Sequence, residues 1–433
     1  MLKRFVLFCV GILSVFSCAN GARTTKNSRT DSTPHVEIDA AELGIKRNSR
    51  FIISNQIDLA GKNLILPDSV TLVFQGGLIY NGKVTGDNTM IETTRGDAIF
   101  NKVRIDGTWL VPEIRTSMFC DIGQANSLRD VFALGSPTVA NTIYIEEGDY
   151  MLAAHKNKDI CLTVCSNTKL IIDGNIKLLA NDYPRYDIIC VQGENIVITG
   201  KGSIVGDKKE HTGTDGEWGM GIRFHKAVNS SVSGLTIKNC WGDCIYVGGN
   251  SKNVTIEGCT IDGGRRQGIS ITKADSVTVR KCEIANISGT KPEYAIDLEP
   301  NQGDTIGNVL IENVNIKKCV GGILTTKGNK NKRGKNAYIN RVDIKNCSIS
   351  GTVLYPIRVR RCNYAIVEGC IITSNNSYPS IFASEIENVT IYKNHISFSM
   401  NAINEEDRKQ YESIYVSDCG LKSILKNRIV NKK

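Results

Sequence analysis

The chain has 433 residues, with 53 Lys and Arg against 44 Asp and Glu and a formal net charge of +9. It carries 40 Gly but only 9 Pro, and helix-forming runs are scarce, which argues against a helical fold and suits many tight corners. The basic residues are scattered and lack the aromatic interleaving that single-stranded nucleic acid requires, so nucleic acid is not an expected partner.

Residues 1–17 read as a targeting segment. Lys3 and Arg4 precede the apolar run FVLFCVGILSVF, which is short for a spanning helix and lies at the N-terminus. Val15-Phe16-Ser17-Cys18 resembles a bacterial lipobox, which makes Cys18 the lipidated first residue of the mature chain. Residues 18–36 form a polar tether. No acidic cluster follows Cys18, so the expected location is the bacterial cell envelope, lipid-anchored in the outer membrane and facing the periplasm rather than the surface. The lipid is the expected membrane contact, because no other run is apolar and long enough to span.

Residues 37–117 hold short alternating runs (FIISNQIDL, NLILP, VTLVFQGGLIY, IFNKVRIDGTW) that read as N-terminal coils of a β-solenoid. Residues 118–433 form the main part. It opens on DIGQANSLRDVFAL, where Ile122, Leu128, Val131, Phe132 and Leu134 fall near helical spacing and predict a short amphipathic helix over 121–134. TIYIEEGDYML, TKLIIDGNIKLL and NIVITGKGSIVGD follow as strands. The segment around His211 (HTGTDGEWGMG) reads either as a lid or as a Gly-rich turn.

Residues 229–272 contain two copies of one pattern: VSGLTI, a polar corner, IYV; then VTIEGCTI, a polar corner, ISI. One inward position recurs at Val232, Ile256, Val279, Ile311, Ile344, Val367, Ile391 and Ile424, and a second at Ile245, Ile269, Ile296, Ile323, Ile357 and Ile381. A period of about 23 residues, lengthened by loops in places, is one turn of a right-handed parallel β-helix with coils about 4.8 Å apart. The predicted fold class is therefore all-β, a parallel β-helix solenoid whose coils bury their apolar faces on each other. Of 15 cysteines, Cys9 and Cys18 belong to the leader. The odd remainder argues against a complete disulfide framework, and Cys259, Cys282, Cys347 and Cys370 read as small buried hydrophobes in one column.

The residues between the inward ones face out. On one face they are Arg223, His225, Tyr246, Ser270, Asp297, Glu299, Leu324, Arg358 and Arg360, with Asp243, Gln267 and Tyr294 at the corner beside Trp241, Arg265 and Arg266. Carboxylates, a histidine, arginines and aromatic rings in register are what a uronate-containing polysaccharide needs for acid–base chemistry, charge pairing and ring stacking. Asp243, Asp297, Glu299, His225 and Arg223 are the candidate catalytic residues; Trp241, Tyr246, Arg265, Arg266, Gln267, Tyr294, Lys327 and Arg358 are the candidate substrate contacts. Lys327 opens a basic stretch, KGNKNKRGK, which is either a solvated loop or a grip on an acidic polymer.

The helix, the strand IYIEEGDYML and then NTKLIIDG and GKGSIVGD resemble the opening of the pectate-lyase-like superfamily, shared by phage tailspikes and polygalacturonases; with the leader, the chain resembles secreted β-helix lipoproteins of Bacteroidetes. The resemblance implies a carbohydrate-active β-helix, a lyase or a glycoside hydrolase, although this architecture also hosts non-catalytic binders of glycans or other partners. Polygalacturonase-like hydrolases carry G-D-D-C-I-x-I; here Gly242-Asp243-Cys244-Ile245 keeps the second aspartate only, and Gln267 stands where their next coil has histidine. Their N-T-D and R-I-K motifs are absent. Hydrolysis needs a carboxyl pair, Asp243 with Asp297 or Glu299. β-Elimination needs a base, a cation and an acid, which His225, Arg223, Asp297 and Glu299 can supply. YAIDLEPN is similar to the acidic strand of alginate epimerases without their histidine. No cofactor is expected; a calcium bridge between Asp297 and Glu299 has too few visible oxygens to be assigned. The leader predicts that Cys18→Ala moves the protein from the membrane fraction to the soluble one; retention in membranes would refute the lipobox reading.

Overall fold

The computed structural model describes residues 37–123, 127–155, 159–326, 337–399 and 413–432. These fall in one compact unit, His35–Lys433. The leader, the tether, Cys18 and Lys327 lie outside the described residues.

The strands pair in parallel, each with its counterpart one coil on. Val232 pairs with Ile256, Ile256 with Val279, Val279 with Ile311, Ile311 with Ile344, Ile344 with Val367, Val367 with Ile391, and Ile391 with Ile424. The second column runs Ile245, Ile269, Ile296, Ile323, Ile357, Ile381 without a slip. Both columns match the spacing in the sequence, because a one-residue slip would turn every inward isoleucine to solvent.

Runs that read as single strands are in fact two. VTIEGCTI breaks at Gly258, and its halves, Ser251–Glu257 and Thr260–Asp262, belong to different sheets. The corner residue is left-handed in each coil: Gly234, Gly258, Lys281, Asn313, Asn346 and Gly369 all have positive φ. The coil therefore has a third face, an 11-stranded sheet of short strands whose inward Ile237, Ile261, Ile284, Ile316 and Ile349 are buried. A further corner stacks Asn167, Asn195, Asn229 and Asn253, again at positive φ, which asparagine tolerates better than branched residues. Their amides bridge coils: Asn253 Nδ2 donates to Asn229 Oδ1 at 2.8 Å and Asn195 Nδ2 to Asn167 Oδ1 at 3.2 Å.

Cys259, Cys282, Cys347 and Cys370 are buried free thiols in one column. Where that column changes to Asn394, the amide is satisfied on both sides. Its Oδ1 accepts from Cys370 N at 2.9 Å, and its Nδ2 donates to Val367 O and Asn427 Oδ1, each at 2.9 Å. The helix is shorter than predicted, Ser127–Ala133, because residues 121–123 form a turn instead. It buries Leu128, Val131 and Phe132, and Asp130 Oδ1 accepts from Ile105 N at 3.0 Å, tying it to the N-terminal coils. Those coils are also parallel, with Leu78–Glu92 against Phe100–Trp109, and share the continuous core.

Ile296→Ala should destabilise the protein by about 2–5 kcal/mol through lost burial and a cavity. Ile371→Ala, on an exposed side chain, should stay within about 0.5 kcal/mol. Urea unfolding of the two variants checks the register; equal small effects would show that Ile296 is not a core residue.

Candidate functional site

Arg266 is the hub of the site. It leaves the corner that precedes strand Ile269–Ile271 and meets carboxylates from three directions. Nη2 lies 2.9 Å from Glu299 Oε2, Nη1 is 3.4 Å from Asp243 Oδ2, and Nε is 3.4 Å from Glu217 Oε2. Two further bonds lock neighbouring coils: Ser270 Oγ donates to Asp243 Oδ2 at 2.7 Å, and Gln267 Nε2 donates to Asp297 Oδ2 at 2.7 Å. Gln267 Oε1 accepts in turn from Tyr294 N at 2.7 Å. Asp243, Asp297 and Glu299, expected to converge, do so. Glu217 joins them from the 211–221 segment, which the sequence reading took for a lid or a Gly-rich turn without naming Glu217.

Exposure divides the four acids. Asp243 and Asp297 are 0% exposed, while the Glu299 and Glu217 side chains are 40% and 35% exposed, and Arg266 only 14%. Burial pushes the Asp243 carboxyl up to about 6 against the pull of Arg266 and Ser270. Burial, then the negative charges of Glu299 and Asp243, push Asp297 well above the usual carboxylate range, with Arg266 opposing. Asp297 Oδ1 has no hydrogen-bond partner among the described residues. Arg266 is held firmly charged, its acidic partners outweighing its own burial. Among the described residues no group of three or more His, Cys, Asp or Glu side chains is placed to hold a metal ion. The Arg266 guanidinium brings positive charge to these acids.

Several residues expected to face solvent do not. Ser270, Asp297 and Leu324 leave the outer face of their strands yet are buried, and so are Gln267 and Tyr294. The reason is that corner side chains fold over the sheet. Trp241 is not a free stacking platform: its ring lies between His211, with centroids 3.8 Å apart and nearly parallel, and Arg265, 3.6 Å from its centroid. Arg265 in turn donates to Gly216 O and Trp241 O, both at 3.1 Å. The segment around His211 is thus pinned. Asp207, buried, accepts from Asn181 Nδ2 at 2.7 Å, bonds His211 Nδ1 at 2.8 Å and accepts from the Tyr186 hydroxyl. Gly242 lets this segment lie close, since a Cβ there would sit 2.5 Å from Glu217 O.

Arg223 and His225 stand apart from the acids. Their columns reach Asp297 and Glu299 only after three coil steps, through Tyr246 and Ser270 in one and Gly248 and Thr272 in the other. At about 4.8 Å per coil that is roughly 14 Å. Arg223 instead pairs with Asp187 at 3.1 Å, and burial pushes Asp187 up to about 6 despite that pairing. His225 is held below its usual value by burial and by Arg223, Lys226 and Arg185. Its ring is seated against Gly249, whose positive φ and missing Cβ leave room for Nδ1. Tyr246 spends its hydroxyl on Thr272 Oγ1 at 2.8 Å. Asp187 occupies the same corner column as Asp243, Gln267 and Tyr294, so counting that column back past Ile222 to Ile189 would have found it.

The fold makes the chain a right-handed parallel β-helix, as its resemblance to pectate-lyase-like proteins implies. Residues 185–338 match the family model described as right handed beta helix region. Among curated proteins the chain is similar to the uncharacterized protein YclG of Bacillus subtilis (strain 168), 30% identical over 189 residues, which cover 37% of this chain and 32% of that one. It is also similar to the SPbeta prophage-derived uncharacterized protein YorA of the same organism, 29% identical over 32% of this chain and 28% of that one. The matches thus span about a third of the relatives' own length. Solved structures of similar shape include an exopolygalacturonase from Thermotoga maritima (TM-score 0.48, 13% identity, 73% of this chain and 91% of that one). Another is the surface adhesin PfbA of Streptococcus pneumoniae (TM-score 0.43, 10% identity, 84% and 87%).

The buried aspartates set a pH dependence. Folded Asp243 keeps its proton to about pH 6, whereas an unfolded aspartate releases it near 3.9, about two units lower. The folded state then binds more protons between about pH 4 and 6, so stability falls as pH rises through that window. Asp187 and Asp297 act in the same direction. Asp243→Asn should therefore lose less stability than the native protein between pH 4 and 7, by about 1–3 kcal/mol in urea titrations. Parallel curves would show that Asp243 is ionised throughout.

Proposed function

We propose that this β-helix acts on a uronate-containing polysaccharide and cleaves it by hydrolysis at the carboxylate cluster around Arg266. The observation that carries the reading is the pairing of Asp243 and Glu299 with one guanidinium beside Asp297, whose carboxyl is pushed well above the usual range by burial and by those two acids. Glycoside hydrolysis needs one protonated carboxyl to give its proton to the leaving oxygen and one carboxylate to take a proton from the attacking water or to stabilise the developing positive charge. Asp297 fits the first role, with Asp243 beside it, and Glu299, exposed and ion-paired, fits the second. Both aspartates are covered, so the reading requires sugar carboxylates to compete with Glu217 and Glu299 for Arg266 and draw that side chain outward. β-Elimination is less well supported, because Arg223 and His225 lie three coils from Asp297 and Arg223 is engaged by Asp187. The closed aspartates favour one other reading, a glycan-binding β-helix without turnover. In either case the proposed location is the cell envelope, held by the lipid on Cys18.

A panel of uronate polysaccharides, followed for reducing ends and for the ultraviolet absorbance of unsaturated uronides, separates these readings. Hydrolysis raises reducing ends without absorbance; absorbance would replace it with a lyase; binding without either signal would leave the non-catalytic reading. On a cleaved substrate, Asp297→Asn should lower turnover at least about 100-fold with melting no lower than native. Full activity in that variant would move the chemistry away from this cluster.

A further inference from the structure

We propose that Cys240 and Cys244 are a dithiol–disulfide couple, and that its oxidation closes the corner Trp241-Gly242-Asp243 into a covalent loop at the carboxylate cluster. The couple sets the state of that corner whatever binds there, so it stands apart from the polysaccharide reading above.

Cys240 follows strand Thr236–Lys238 and Cys244 precedes strand Ile245–Gly248, so the two flank the bend that carries Trp241, Gly242 and Asp243. Both are free thiols in this structure, and both are fully buried in the core. The Cys240 thiol is hydrogen-bonded to that of Cys244. Two glycines make the room for this contact. Gly221 holds the Cys244 position one coil earlier, and a Cβ there would lie 2.9 Å from Cys240 Sγ. Gly264 holds the Cys240 position one coil later, and a Cβ there would lie 3.0 Å from Cys244 Sγ. Each sulfur thus lies where its partner's column gives up a side chain. The same two positions of the next coils are Gly264 with Gly268 and Ile287 with Ala295, so neither of those bends brings two thiols together.

Cys259 with Cys282 and Cys347 with Cys370 also lie side by side, but across coils. There the coil step of about 4.8 Å exceeds the roughly 3.8 Å that separates the Cβ atoms of a disulfide. A bend within one coil is not bound to that step. Oxidation of the couple needs a disulfide R–S–S–R, carried by a protein or a small molecule. One cysteine thiolate attacks it, forming a mixed disulfide and releasing one R–S⁻. The other cysteine thiolate then attacks the cysteine sulfur of the mixed disulfide and releases the second. In sum two cysteine thiols lose two protons and two electrons, and the oxidant becomes two R–SH. In the folded chain Cys240 is held as the thiol by Cys244, by burial and by the negative charges of Asp207 and Asp243. Exchange therefore takes place as the coil forms or opens, and the closed bridge is then shielded from reductants.

The test takes the full chain through urea unfolding and refolding in oxidised or in reduced glutathione, followed by alkylation in denaturant, trypsin and peptide mass spectrometry. Residues 239–252 lie between tryptic sites and hold no other cysteine. After oxidised refolding this peptide should carry no alkyl group and weigh two hydrogens less, while Cys259, Cys282, Cys347 and Cys370 are all alkylated. Reduced glutathione should leave the bridge intact in the native protein and open it in urea. The Gly242 and Cys244 amides, bonded to Gly219 O and Gln267 O, should exchange hydrogen about tenfold more slowly in the bridged form. In Cys240→Ala and in Cys244→Ala the two refolding conditions should give equal exchange. Full alkylation of both cysteines in chain that has regained its native circular dichroism under oxidised glutathione overturns the couple. So does loss of the native spectrum under oxidised glutathione alone, since the bridge would then be incompatible with the coil. A bridge from either cysteine to a third one, or bridges in the Cys259–Cys370 column, overturns the pairing. A bridge that leaves amide exchange unchanged overturns its hold on the corner.

Discussion

Everything in this molecule depends on the parallel stacking of equivalent positions. A coil has no core of its own; its inward isoleucines and valines become buried only when the same positions of the coils above and below cover them. Register is therefore strongly specified, and the chain keeps it over both columns despite loops of different length. The same constraint governs the corners. Each coil must turn with one residue in the left-handed region, and asparagine and glycine recur there because they hold that geometry at low cost.

Stacking also decides what happens to charge. A parallel sheet brings side chains of one outward column within about one coil step of each other, so acids on neighbouring coils cannot all be ionised without a cation. Arg266 supplies that cation for Glu217, Asp243 and Glu299. Asp297 is left with Gln267 and an unpartnered oxygen, and burial with the neighbouring acids pushes its carboxyl well above the usual range. The arrangement stores a buried acid beneath an exposed ion pair. The pinned segment from Asp207 to Glu217 completes it: the Asp207 bonds and the His211–Trp241–Arg265 stack fix the path that delivers Glu217 to Arg266.

The sequence by itself determined the coil. Hydrophobic alternation and a period near 23 residues give the solenoid, its inward columns and the residues that share a face, since all three follow from local geometry repeated along the chain. It also placed Asp243, Asp297 and Glu299 on that face. The same counting, carried further back, would have reached Asp187. Tertiary structure alone decided which outward residues meet solvent. Long corner side chains fold across neighbouring coils, so Asp297 and Gln267 are closed off while Glu299 is open, and Trp241 is covered from both sides. It also decided the partners of the arginines: Arg266 takes acids from three places in the chain, and Arg223 takes Asp187 instead of the acids it was expected to join. Periodicity carries direction along a strand. It does not carry the rotamers and loop paths by which charges find each other across coils, and those set burial, protonation and access.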